Sequence, residues 1–232
     1  MAPARPHRTG DELAGYLFLS PWIVGVLLLT IGPMLASLYL SFTDYDLFTA
    51  PRWAGLGNYR RMLDDPRWLK SVRITAVYVA IAVPVKLAAA LAVALLLNNH
   101  RRGQGAYRSA FYGPSLIGGS VSLAIVWKAL FSDDAVVDRL LGAVGLHTGG
   151  WAGNPDFSLL MLVLLAGWQF GAPMVIFLAG LKQVPRDLYE AAHVDGAGRW
   201  RRFLSITLPM ISPVLFFNLL LETIHAFQVF TS

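Results

Sequence analysis

Cysteine is absent from this chain, which excludes disulfides, thiolate nucleophiles and cysteine-ligated metals. Charge is scarce: Asp, Glu, Lys and Arg make up 14% of the 232 residues, against about 25% in a soluble domain, too little to coat a globular surface. No His, Asp and Glu group stands at metal-ligand spacing, and no Gly-rich phosphate loop of the GxxxxGK[ST] kind occurs. The chain is therefore not itself an ATPase, and neither an enzymatic centre nor a cofactor is expected. Apolar residues fill the space left: 56% of the chain is hydrophobic and the mean hydropathy is +0.54. This composition predicts an all-α polytopic membrane protein. The formal net charge of +5 is then a matter of topology, since Lys and Arg gather on the cytoplasmic side; nucleic-acid binding explains it poorly.

A spanning helix needs about 20 mostly apolar residues, and five segments qualify, roughly 15–42, 73–97, 110–131, 157–181 and 206–231. Arg5, His7 and Arg8 before the first resemble a signal peptide, but the run from Tyr16 to Phe42 is too long for one and no small-residue cleavage site follows. An uncleaved first helix is expected. The loop at 98–109 carries Arg101, Arg102 and Arg108 with no acid, and that at 182–205 carries Lys182, Arg186, Arg199, Arg201 and Arg202. Between them, 132–156 carries Asp133, Asp134, Asp138 and Asp156 against Arg139 alone. The positive-inside rule puts residues 1–14, the 98–109 loop and the 182–205 loop in the cytoplasm. The loop at 43–72, mixed in charge, falls outside by alternation.

One stretch is unlike the rest. Glu190-Ala191-Ala192, three residues, Gly196, nine residues, then Ile206-x-Leu208-Pro209 form a polar, basic segment between two apolar ones. It resembles the EAA loop of the membrane-spanning permease subunits of binding-protein-dependent ABC importers, and every fixed position of that pattern is met. Gly55-Leu56-Gly57-Asn58-Tyr59, Pro84-Val85-Lys86-Leu87, Tyr107-Arg108, Trp168-x-Phe170-Gly171 and Ser212-Pro213-x-x-x-Phe217-Asn218 are similar to elements of the carbohydrate branch, which serves maltose, glycerol phosphate and multiple-sugar systems. The resemblance implies one transmembrane domain over 15–232, with the coupling loop at 182–209. It implies a bacterial cytoplasmic-membrane location and assembly with a second homologous permease, two ATP-binding subunits and an extracytoplasmic sugar-binding protein. The family pattern has six spans and a cytoplasmic end, so with five this sequence is expected to be truncated relative to its relatives.

Within the loop, Asp187 and Glu190 suit a helix N-terminus, Leu188, Ala191 and Ala192 make one apolar stripe, and Gly196 permits a turn closed to other residues. As the resemblance implies, this is the coupling helix seated in the ATPase subunit, with Glu190, Ala191, Ala192, Asp195, Gly196, Leu208 and Pro209 as its residues. An interfacial helix resting on lipid headgroups is the alternative, and Arg199, Arg201 and Arg202 read as a topology and headgroup anchor.

In the last span Asn218, Glu222, His225 and Gln228 share one arc at about 100° per residue. Polar groups at membrane depth face a bundle interior or a wet cavity. In the span before it, Trp168 and Gln169 sit between Gly167 and Gly171, which with Pro173 allow a break. Asn218, Glu222, Gln228, Trp168 and Gln169 are the candidate substrate path; hydrogen bonds between helices would also explain them. Lys86 stands 12 residues from Asn98, and Glu222 stands 13 from Pro209, so both lie roughly 18–20 Å from the cytoplasmic ends of their spans. They can pair; snorkelling, water or a partner subunit would serve Lys86 otherwise. The rival class is a self-sufficient secondary transporter or channel using Glu222, His225 and Lys86 as a proton relay. No internal repeat of the kind such carriers show is found.

Overall fold

The computed structural model describes residues 9–98, 104–116, 121–133, 135–143, 145, 151 and 153–229. Arg5, His7, Arg8, Arg101, Arg102 and Asp134, used in the topology argument, lie outside them, as does the side chain of Asp156. The chain is mostly helical: α1 Thr9–Val26, α2 Gly32–Ser41, α3 Gly57–Asp64, α4 Pro66–Leu97, α5 Gln104–Leu116, α6 Val121–Leu130, α7 Val136–Gly142, α8 Pro155–Trp168, α9 Gly171–Gln183, α10 Arg186–Val194, α11 Arg199–Arg202, α12 Leu208–Met210 and α13 Ser212–Gln228. A two-residue hairpin, β1 Thr43–Asp44 and β2 Arg52–Trp53, joins α2 to α3. The helices fall into two compact units, residues 1–71 and 72–232.

Two helices, Ala14–Ser41 and Pro66–Leu97, are long and apolar enough to cross a membrane. Two bent pairs qualify if each counts as one span: Phe157–Trp168 with Gly171–Gln183, bent by 45°, and Arg199–Met210 with Ser212–Gln228, bent by 68°. Of the span read from sequence at 110–131, the described residues belong to α5 and α6, and residues 117–120 lie outside the described set.

Prolines shape the spans. Pro33 has no N–H and its ring crowds the carbonyl four residues back. The helix responds with a π turn, Leu27–Ile31, in which the Gly32 N–H reaches the Leu27 carbonyl. Pro209 does the same: Phe203–Thr207 is a π turn closed by the Leu208 N–H on the Phe203 carbonyl. A second proline, Pro213, then opens α13 in its first turn, and the chain bends between the two, at Ile211. The break in the preceding pair comes at Gln169–Phe170, between the glycines that allow it.

Unit 1 explains the Gly-Leu-Gly-Asn-Tyr element. The Asn58 Nδ2 donates to the carbonyls of Ser41 at 3.0 Å and Thr43 at 2.8 Å, and the Tyr59 hydroxyl lies 2.7 Å from Ser41 Oγ. Together they clamp the end of α2 to the hairpin, over a cluster of Tyr39, Phe42, Trp53 and Tyr59 rings. At the loop tip Asp46 Oδ1 accepts from the N–H groups of Phe48 and Thr49 and from the Thr49 hydroxyl. These bonds, the Thr49 hydroxyl foremost, hold its carboxyl below the usual range.

Unit 2 packs α4, α9 and α13 around one core. Lipid tails are as apolar as leucine, so membrane helices associate by close packing of small residues. On α4 the i+4 row Tyr78, Ala82, Ala90, Ala94 is buried, with Ala90 and Ala94 at 0% exposure; Lys86 occupies the remaining place in that row. On α9, a Cβ at Gly180 would come 2.9 Å from Val214 Cγ2, and one at Gly171 would overlap Ser115 Oγ and lie 2.7 Å from Ser115 Cβ. Gly171 is therefore a point of close approach between α9 and α5. Gly171→Ala is expected to lose about 1–3 kcal/mol by overpacking, read as a lower unfolding temperature of the purified chain. Ser115→Gly in the same chain should recover most of it, whereas equal losses in single and double variants would mean the contact is not limiting.

Candidate functional site

The buried row of α4 meets that of α13. Asn218, Glu222 and Ala226, again at i+4 spacing, are buried at 1%, 7% and 9% exposure. This brings Lys86 Nζ to 2.6 Å from Glu222 Oε2, between helix faces that are largely apolar. Neither charge is tolerable alone at such a place; each is the reason the other can be there. Beside the pair lies a cavity of about 100 Å³, walled by Tyr78, Ala82 and Val83 of α4, Leu162, Leu165 and Ala166 of α8, and His225, Ala226 and Val229 of the last segment, with Gln169 at the α8–α9 break. It has room for a few waters but is well below the roughly 300 Å³ at which small-molecule pockets begin.

The five path residues named from sequence are not gathered in one place. Glu222 and Gln169 line the cavity. Asn218 is buried and donates from Nδ2 to the Val214 carbonyl at 3.2 Å, a bond within its own helix. Trp168 turns away, 45% exposed, its ring 6.3 Å from that of Trp127. Gln228 is exposed. The polar arc drawn at steps of four, three and three leans backwards around the helix: taking Asn218 as zero, Glu222 falls near +40°, Ala226 near +80° and Gln228 near −80° at about 100° per residue. Burial follows the positive side. Tyr78, missed in the sequence, reaches the cavity because it begins the buried row of α4.

The loop at 182–209 is a helix–turn–helix. Pro185 is the N-cap of α10, and Asp187 lies in its first turn. The helix closes in a Schellman arrangement: the Ala197 N–H donates to the Ala192 carbonyl at 2.9 Å and the Gly196 N–H to the His193 carbonyl at 3.1 Å. Gly196 has φ +72°, the left-handed conformation that other residues enter at a cost. Asp195 is the C-cap. Glu190, Ala191, Asp195 and Gly196 are exposed and Ala192 is half-buried, so the apolar stripe is covered only at Ala192; Leu188 is 41% and Val194 87% exposed. Leu208 and Pro209 form α12 beyond the π turn. The loop is fastened by a contact the sequence did not announce: the Tyr189 hydroxyl lies 2.8 Å from Thr207 Oγ1, with Thr207 buried and Tyr189 packed on the core.

Long apolar helices around a buried ion pair, with an exposed polar helix–turn–helix between two of them, have the make-up of a polytopic membrane protein. The chain belongs to the family described as binding-protein-dependent transport system inner membrane component, which it matches over residues 63–232. It is 51% identical over 223 residues to the "Probable ABC transporter permease protein YesP" of Bacillus subtilis, covering 95% of this chain and 72% of that one. It is 32% identical over 224 residues to the lactose transport system permease protein LacF of Rhizobium radiobacter, covering 94% and 74%, and 32% identical over 219 residues to the trehalose/maltose transport system permease protein MalF of Thermococcus litoralis, covering 93% and 74%. A solved bacterial ABC transporter that imports the acidic polysaccharide alginate shares the fold, with TM-score 0.79 at 23% identity over 95% of this chain and 75% of that one. The chain is thus an inner-membrane permease of the ABC import class, and the rival reading as a self-sufficient carrier falls away.

Proposed function

We propose that this permease translocates a sugar or oligosaccharide, with the Lys86–Glu222 cavity as part of the path and α10 as the helix that couples it to a separate ATPase. The observation that carries the reading is the ion pair opening on a cavity flanked by hydrogen-bonding groups, Tyr78, Gln169 and His225. Sugars bind through such groups, and the relatives named for lactose and for trehalose and maltose support the substrate class. A cavity too small for a sugar ring fits a path with two walls, the second supplied by a homologous permease. The uncovered surface of α10, with Glu190 outward and Gly196 setting the turn, fits a cleft on an ATP-binding subunit. An extracytoplasmic sugar-binding protein completes the assembly.

In this reading five spans run through the membrane from a cytoplasmic N-terminus. The hairpin of unit 1 lies outside and α10 inside. The absence of cysteine gives a direct test. Phe48, 94% exposed at the hairpin tip, and Val194, 87% exposed on α10, are replaced one at a time by cysteine. A membrane-impermeant maleimide should label Phe48→Cys in intact spheroplasts and Val194→Cys only after lysis; the reverse pattern inverts the topology. The transport reading is tested by purifying the full chain from its native membrane. It should bring down an ATP-binding subunit, and the assembly in proteoliposomes should take up sugar only when ATP and the binding protein are supplied. A chain that arrives alone overturns the reading.

A further inference from the structure

A second, larger hollow lies away from the ion pair, a groove of about 740 Å³ between the end of α4 and the start of the last segment. Its wall is apolar: Ala92, Leu95 and Leu96 from the last two turns of α4, Leu181 from the last turn of α9, and Phe203. Its rim is basic and aromatic, made by Arg199, Arg202 and Trp200, with Asn98 at one end. The Tyr189–Thr207 hydrogen bond lies against its inner end. Trp200 is 77% exposed, held edge-on to Phe203 at 6.1 Å. Arg199 and Arg202 form no ion pair with an acid among the described residues.

The wall residues of α4 and α9 stand within two turns of the ends of those helices, so roughly 2–8 Å from them at 1.5 Å per residue. That is the boundary between hydrocarbon and headgroups. An apolar wall running out of the hydrocarbon into a rim of two free guanidinium groups and an indole matches one kind of molecule from both ends. The wall takes an acyl chain, the guanidiniums take a phosphodiester, and the indole sits at headgroup level. We infer that this groove holds an anionic glycerophospholipid of the inner leaflet, its phosphate on Arg199 and Arg202 and one acyl chain along Ala92, Leu95 and Leu96. Because Tyr189 belongs to α10, such a lipid would bear directly on how firmly α10 is held. The inference rests on the membrane disposition proposed above; transport is not its readout, so the two can fail separately.

The test uses the indole. The full chain, with whatever subunits accompany it, is placed in nanodiscs of phosphatidylcholine containing equal small fractions of either brominated phosphatidylglycerol or brominated phosphatidylcholine. The Trp200 signal is the difference between the native chain and Trp200→Phe. Quenching by the brominated phosphatidylglycerol should be at least about twice that by the choline lipid, since a bound anionic lipid is locally enriched. It should survive inorganic phosphate at matched ionic strength. Arg199→Gln with Arg202→Gln should reduce it to the choline level. Arg201→Gln, in the same stretch but outside the groove, should leave it intact. Equal quenching by the two lipids overturns the inference. So does loss of the preference with Arg201→Gln, which would make it a general surface-charge effect, or displacement by phosphate. Protection of Trp200 from both lipids would show that a protein subunit occupies the groove instead.

Discussion

Replacing Lys86 with methionine, a side chain of similar length and no charge, should leave little working transporter. Glu222 stays buried at 7% exposure and loses the partner 2.6 Å away. Removing one member of a buried pair costs about 3–5 kcal/mol, and losses of half that size already lower the steady-state amount of a protein several-fold. Glu222→Leu should fail equally, with Lys86 stranded. Two double variants then separate what the pair does. Exchanging the charges, Lys86→Glu with Glu222→Lys, restores an ion pair of opposite sense and should recover part of both amount and uptake. Lys86→Met with Glu222→Leu removes charge altogether; replacing a buried pair by apolar groups of similar volume is often neutral for stability, so membrane levels should recover. If the pair lines the path, uptake should stay at least about tenfold below native in that variant, because only the chemistry has gone. Native uptake by the apolar double variant would reduce Lys86 and Glu222 to a packing device, and strictly additive defects in the swap would mean that the two charges act apart.

Residue counting showed that the two charges lie at similar depth in their spans and can meet; that they do meet, rather than turning to water or a partner subunit, came from the structure. The 68° bend at Ile211 was not. The sequence carries its cause, Pro209 and Pro213, but an apolar run across both reads as one span. Facing was harder still. In a soluble helix polar residues mark the outside; here the lipid side and the core side are both apolar, and the useful signal is small residues in an i+4 row. Read that way, Ala82, Ala90 and Ala94 point Lys86 inward, and Ala226 rather than Gln228 continues the face of Glu222. Gly196 announced its turn because a positive φ has a residue preference. The Tyr189–Thr207 bond joins residues 18 apart and has no local pattern to reveal it.

The other large effect is expected on α10. Gly196 is exposed with φ +72°, and nothing lies within 4 Å of where its Cβ would be. Gly196→Ala therefore meets no clash, only the backbone cost of a left-handed alanine, about 1–2 kcal/mol. It should lower transport modestly while the subunit still reaches the membrane. Gly196→Val, β-branched, pays more in the same conformation, and the helix end should unwind: the bonds from Ala197 to Ala192 and from Gly196 to His193 depend on that φ. Glu190→Lys acts differently. Its side chain is exposed, so the fold should be untouched and the unfolding temperature unchanged within about 1 °C, a surface change away from the core being worth little. If α10 seats in an ATPase subunit, reversing that charge should nevertheless release the subunit or sever ATP hydrolysis from uptake, with transport down at least about tenfold. The measurements are co-purified ATPase per permease, hydrolysis rate and uptake in the same vesicles. Glu190→Lys and Gly196→Val chains that retain native ATPase association and native uptake would show that α10 only rests on the membrane surface.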